Sequence, residues 1–167
     1  MEMKNALRKL NQSIKFVKWN KKNNKSKLTH AFIMVGNNEN EEWQFGYYNP
    51  ETDKVATFTV NDSVSLNDEQ DVFKKPGDKV KCINLSNVKI SLEKAIEKAD
   101  EIKEKHYPKE TINKRIAILQ NIDHGQLWNI TFVTHSFKTI NIKINSSDGK
   151  VIKHGVISLF EFRSKAK

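Results

Sequence analysis

Two stretches of this chain alternate apolar and polar residues at every second position: EEWQFGYYNPETDKVATFTV, from Glu41 to Val60, and QLWNITFVTHSFKTINIKI, from Gln126. A period of two puts Trp43, Phe45 and Tyr47 on one face of a strand, and Trp128, Ile130 and Phe132 on one face of another. After a turn, Ala56, Phe58 and Val60 continue the alternation in the first stretch, and Ile140, Ile142 and Ile144 continue it in the second. Ahead of each pair lies an apolar run of strand length, LTHAFIMV and KRIAILQN. Further upstream the spacing changes to three and four. Leu92, Ala95, Ile96, Ala99 and Ile102 mark one amphipathic helix, and Ala6, Leu7, Leu10, Ile14 and Val17 mark another in NALRKLNQSIKFV. Ser91 is the N-cap candidate of the later helix, and Pro108 ends its pattern.

Each half therefore reads helix, strand, strand, strand, and the halves align on one another. An offset of 85 residues puts Trp43 on Trp128, Phe45 on Ile130 and Tyr47 on Phe132, and also Ile33 on Ile118 and Met34 on Leu119. After the turn the offset falls to 84, because NPETDK carries one extra residue where a length change disturbs least. The expected fold is α+β, with two repeats related by duplication, each packing a helix on a three- to four-stranded antiparallel sheet. Residues 1–65 form the first repeat, 88–167 the second, and the polar 66–87, punctuated by Pro76-Gly77, a linker. NSSDGK, with Gly149 after Asp148, predicts a tight hairpin between strands ending at Ile144 and starting at Val151.

These residues resemble the PepSY domain (cystatin-like in outline), a helix followed by an antiparallel meander with a Trp early in the second strand. The third strand of that pattern ends in a turn of the type Asp-x-x-Thr-Gly-Lys-Val. In LWNITF and TINIKINSSDGKVIKHG, Asn145, Gly149, Lys150 and Val151 stand at the turn positions, with Asn145 replacing the usual Asp and Ser147-Asp148 standing where a Thr is common. The first half carries the likeness in EWQFGYYNPETDKVATFTV. The resemblance covers nearly the whole chain as two copies. It implies a binding or inhibitory module, often found beside peptidases, and not an enzyme; members of the family are typically exported or membrane-attached.

Composition changes this picture in three places. No stretch approaches the roughly 20 apolar residues of a membrane helix, and the start MEMKNALRKL lacks a secretory leader, so the sequence as written reads as cytoplasmic, or as exported where a leader has been removed. The single cysteine, Cys82, has no disulfide partner and reads as a buried structural thiol. The net charge of +9 is polarised: residues 1–27 hold nine Lys or Arg against Glu2, whereas residues 39–71 hold nine acids against Lys54.

Candidate chemistry is sparse. His30, His106, His124, His135 and His154 show no i, i+2 or i, i+4 pairing, six glycines form no phosphate loop, and Asp123-His124 has no serine elbow to serve. The expectation is no catalytic residue, no cofactor and no metal. Trp43, Tyr47, Trp128 and Phe132 have two readings, as core anchors or as an outward aromatic surface for a protein or peptide partner. The alternative partner is nucleic acid. In KFVKWNKKNNKSK, Lys15, Lys18, Lys21, Lys22, Lys25 and Lys27 surround Phe16 and Trp19, the mixture that neutralises phosphates while a ring stacks on a base. Either a monomer or a homodimer suits the charge pattern.

Overall fold

A computed structural model describes residues 1–36, 41–71 and 79–158. Among the described residues, three α-helices lie on one face of a nine-stranded antiparallel sheet. In chain order the elements are α1 (Met3–Gln12), α2 (Ile14–Lys22), β1 (Lys27–Val35), β2 (Trp43–Asn49), β3 (Lys54–Val60), β4 (Val64–Leu66), β5 (Gln70–Asp71), α3 (Leu92–His106), β6 (Ile112–Ile122), β7 (Gly125–Thr134), β8 (Lys138–Asn145) and β9 (Val151–Ser158). Across the sheet the order is β4-β3-β2-β1-β6-β7-β8-β9, with β5 on the outer side of β3. The α+β class and the antiparallel strands are as the alternation predicted. The two strand sets form one sheet, because β1 and β6 pair with each other, His30 to Val35 against Gln120 to Arg115.

The core is the helix-facing side of the strands. Trp43, Phe45, Phe58, Trp128, Ile130, Phe132, Ile140, Ile142 and Ile144 are all buried there, the positions that period two selected. Their pairings run in parallel: Trp43 opposes Val60 as Trp128 opposes Ile144, and Phe45 opposes Phe58 as Ile130 opposes Ile142. The strand before each of these hairpins needs a correction. Ala31 and Ile33 face the core as Ala117 and Leu119 do, so aligning Ile33 with Ile118 is out by one residue. A single-residue slip exchanges the two faces of a strand, and in two all-apolar runs polarity does not reveal it.

Each Trp also fastens a helix. Trp43 Nε1 donates to Met1 O at 2.8 Å and Trp128 Nε1 donates to Ile90 O at 2.9 Å, in both cases the carbonyl two residues ahead of a helix. A buried indole must satisfy its N–H, so each bond fixes where the helix begins relative to the sheet. Ser91 caps α3 as expected, accepting from Lys94 N, and Ala95 and Ala99 let that helix approach closely.

The first helix departs from its predicted register. It breaks at Ser13, whose extended backbone leaves α1 while its side chain accepts from Phe16 N and starts α2. The break rephases the apolar face. Phe16 and Trp19 turn inward onto Tyr47 and Phe58, with ring centroids 5.1 to 6.0 Å apart, and Ile14 and Val17 turn out to 73% and 40% exposure. Aromatic rings bury more area than the aliphatic pair and gain about 0.5–1.5 kcal/mol per well-oriented contact, which decides the phase.

The 66–87 segment is not free of the sheet where it is described. Gln70–Asp71 pair with β3, Ile83 N donates to Leu28 O at 2.8 Å, and Asn121 Nδ2 donates to Cys82 O at 3.0 Å. Cys82 is half-buried rather than buried, and Pro76-Gly77 lies outside the described residues. The hairpin at Gly149, with φ of 75°, is as predicted. Trp128→Ala is expected to cost about 3–5 kcal/mol in denaturant unfolding. Trp128→Phe should retain most of that packing and lose about 1–3 kcal/mol for the unsatisfied Ile90 carbonyl.

Candidate functional site

The face of the sheet opposite the helices carries a groove of about 880 Å³, and its floor comes from the central strands. Two rows of residues cross it. One runs Thr57, Gly46, His30, Gln120, and the next runs Thr59, Gln44, Phe32, Ile118, each neighbour paired across adjacent strands. Gln70–Asp71, paired to β3, and Lys79–Lys81 complete its lining. The joint between β1 and β6 runs through the floor. Neither strand set forms the groove alone.

His30 owes its position to two backbone features. The pairing of β1 with β2 shifts register between Leu28 and His30, a bulge in which Thr29 is buried and its Oγ1 donates to Gly46 O at 3.1 Å, while His30 stands on the groove side. Gly46 then leaves the room that the imidazole fills: a Cβ there would stand 2.0 Å from His30 Cε1. Burial disfavours the charged ring and holds the His30 pKa below its ordinary value. Thr29 Oγ1 lies 3.4 Å from His30 Nδ1, too long for a strong bond, and that hydroxyl is already committed to Gly46 O. Thr29 is therefore not held as a nucleophile for His30 to activate. The side-chain amides of Gln44 and Gln120 have no partner among the described residues and stand beside the apolar Phe32 and Ile118. Unpaired amides next to an apolar floor suit a ligand carrying both backbone-like polar groups and side chains.

The residues singled out in the sequence lie elsewhere. Trp43, Tyr47, Trp128 and Phe132 are 1%, 9%, 0% and 0% exposed, so they are core anchors rather than an outward aromatic surface. The reason is their face: they point toward the helices, and the outward positions of the same strands are Gln44, Tyr48, Asn129 and Thr131. In the basic segment, Lys15, Lys18, Lys21, Lys22, Lys25 and Lys27 are all exposed, but Lys25 is bound to Glu51 at 2.6 Å. Trp19 is packed against Phe58 and is not displayed for a base. The fold brings together one pair of histidines that the sequence separates, His106 and His154, with ring centroids 4.5 Å apart and Tyr107 Oη 2.8 Å from His154 Nδ1. No group of three or more His, Cys, Asp or Glu among the described residues is arranged to hold a metal ion.

Sequence reading missed Phe32, Gln44, Ile118 and Gln120. One signal was present. Phe32 and Met34 fall between Ala31, Ile33 and Val35, so one of the two faces of that strand had to turn an apolar surface away from the helices.

No family model matches the sequence, and no curated relative does. Among solved structures, a crystal structure from Clostridium difficile 630, described as a "putative lipoprotein", matches with a TM-score of 0.59 at 10% identity, covering 86% of this chain and 90% of that one. At that identity the likeness shows a shared fold alone. No helix among the described residues is long and apolar enough to cross a membrane.

Because the His30 pKa is lowered on folding, the unfolded chain binds the proton more tightly. Stability from this group is full above about pH 6.5 and is lost as pH falls from there through the folded pKa. His30→Gln should flatten the acid limb of Tm against pH in that window. An unchanged acid limb would place the ring in water.

Proposed function

We propose that the chain is a non-enzymatic binding module made of two PepSY-like repeats, residues 1–65 and 88–167, and that it takes an extended protein or peptide segment in the groove on the open face. Three observations support the duplication. Each indole N–H bonds the carbonyl two residues ahead of its helix. The hairpin registers of β2 with β3 and of β7 with β8 agree residue by residue. The β1–β6 joint is symmetric when Ala31 and Ile33 are matched to Ala117 and Leu119, since Ala31 opposes Leu119 and Ile33 opposes Ala117. An antiparallel pairing of equivalent strands is how two copies of one sheet join about a two-fold axis.

The observation that carries the binding reading is the groove's composition. Phe32 and Ile118 offer an apolar floor for side chains, while Gln44 and Gln120 offer free amide donors and acceptors at strand spacing. A polypeptide in extended form presents the complementary alternation, with main-chain groups for the amides and every second side chain for the floor. Selection from a displayed library of random peptides tests this reading. Peptides are expected to bind the wild-type chain and to lose at least tenfold in affinity against Ile118→Lys, a change in a half-buried groove position that adds a charge without touching the helix-side core. Enrichment of none, or of peptides indifferent to Ile118→Lys, would remove the groove as the binding site.

A further inference from the structure

The exposed side of α2 is neither part of the groove nor explained by the core. Its inward pole is Phe16 and Trp19, and helical spacing sets its outward pole at Ile14, Val17, Lys18 and Lys21, with Lys15 and Lys22 on the flank. Ile14 is 73% exposed, more than any other large apolar side chain described, and Val17 is 40% exposed. Lys15, Lys18, Lys21 and Lys22 make no ion pair among the described residues, and residues 3–27 contain no acid at all. Arg8 joins the patch across the Ser13 bend, where it lines a shallow depression with Ile14 and Lys15. Lys25 is excluded from it by Glu51.

We infer that this pole of α2 docks on an anionic lipid surface, with Ile14 and Val17 entering the boundary between headgroups and acyl chains while the lysines meet the lipid phosphates. The lysine stems let the charged ends stay at headgroup level as the two aliphatic tips go deeper. Charge complementarity names an anionic partner, and the kind of apolar residue distinguishes between anionic partners. A single-stranded nucleic acid is held by aromatic rings on which bases stack. Here both rings of the segment are turned into the core, and aliphatic side chains are displayed in their place. Docking along the plane of a membrane needs no spanning helix.

Sedimentation of the full chain with vesicles tests the inference, comparing phosphatidylcholine alone with phosphatidylcholine containing phosphatidylglycerol, at low and high salt. Binding to the anionic vesicles is expected to exceed binding to the neutral ones by at least tenfold, because the unpaired lysines are drawn to the anionic surface, and to fall with salt. The double change Ile14→Ser with Val17→Ser should weaken vesicle binding several-fold at unchanged Tm, and Lys18→Glu with Lys21→Glu should abolish it. Absence of binding to phosphatidylglycerol vesicles at low salt overturns the inference. So does undiminished binding by the serine variant, or tighter capture of a single-stranded oligonucleotide than of the vesicles, either of which makes the patch a polyanion site that ignores its apolar tip.

Discussion

The pairing of β1 with β6 is the contact on which the rest of the molecule depends. It merges two short strand sets into one sheet, and a larger merged unit buries a greater fraction of its surface than either set would by itself. Merging them lets the helices share one continuous core, in which the Trp43 and Trp128 rings approach to 6.5 Å across the joint. The same pairing lays Phe32 and Gln44 beside Ile118 and Gln120, so the groove is a product of the joint and not of either strand set. Stability and the candidate binding surface thus rest on one ladder of backbone hydrogen bonds.

Around that ladder, the protein uses backbone irregularity to decide which side chains face where. At the bulge near Thr29 a buried hydroxyl donates to Gly46 O while His30 stands on the groove side, and glycine at 46 makes the space that the ring takes up. Ser13 does the same for a helix. An unbroken helix would have carried Ile14 and Val17 into the core on the phase of Leu7 and Leu10, but the capped restart at Ser13 gives that place to Phe16 and Trp19. In both cases one residue, through a local hydrogen bond or the absence of a Cβ, assigns several neighbours to the core or the surface.

Much of the fold was legible in the chain. The hairpins at Trp43 and Trp128, the α3 helix with its Ser91 cap and the turn at Gly149 all follow from period, capping chemistry and the need for positive φ. The candidate groove was much less so. Its residues are unremarkable singly: an outward Phe, an outward Ile and two glutamines. What makes them a site is adjacency between residues more than half the chain apart, such as Phe32 and Ile118, and period-two patterning carries no information about which strand lies next to which.

The sequence by itself determined the elements, the helix-facing side of the four hairpin strands and the polarised charge, because these depend on interactions between residues close along the chain. Only the tertiary structure decided that the strand sets share one sheet, that Ala31 and Ile33 rather than their neighbours face inward, that the four aromatic candidates are core, and that α2 displays aliphatic side chains among its lysines. Those outcomes turn on competition for a common core. Apolar runs with no polar face are compatible with either register, and an amphipathic pattern is compatible with either phase. The balance is settled by which side chains bury the most area once the helices meet the sheet.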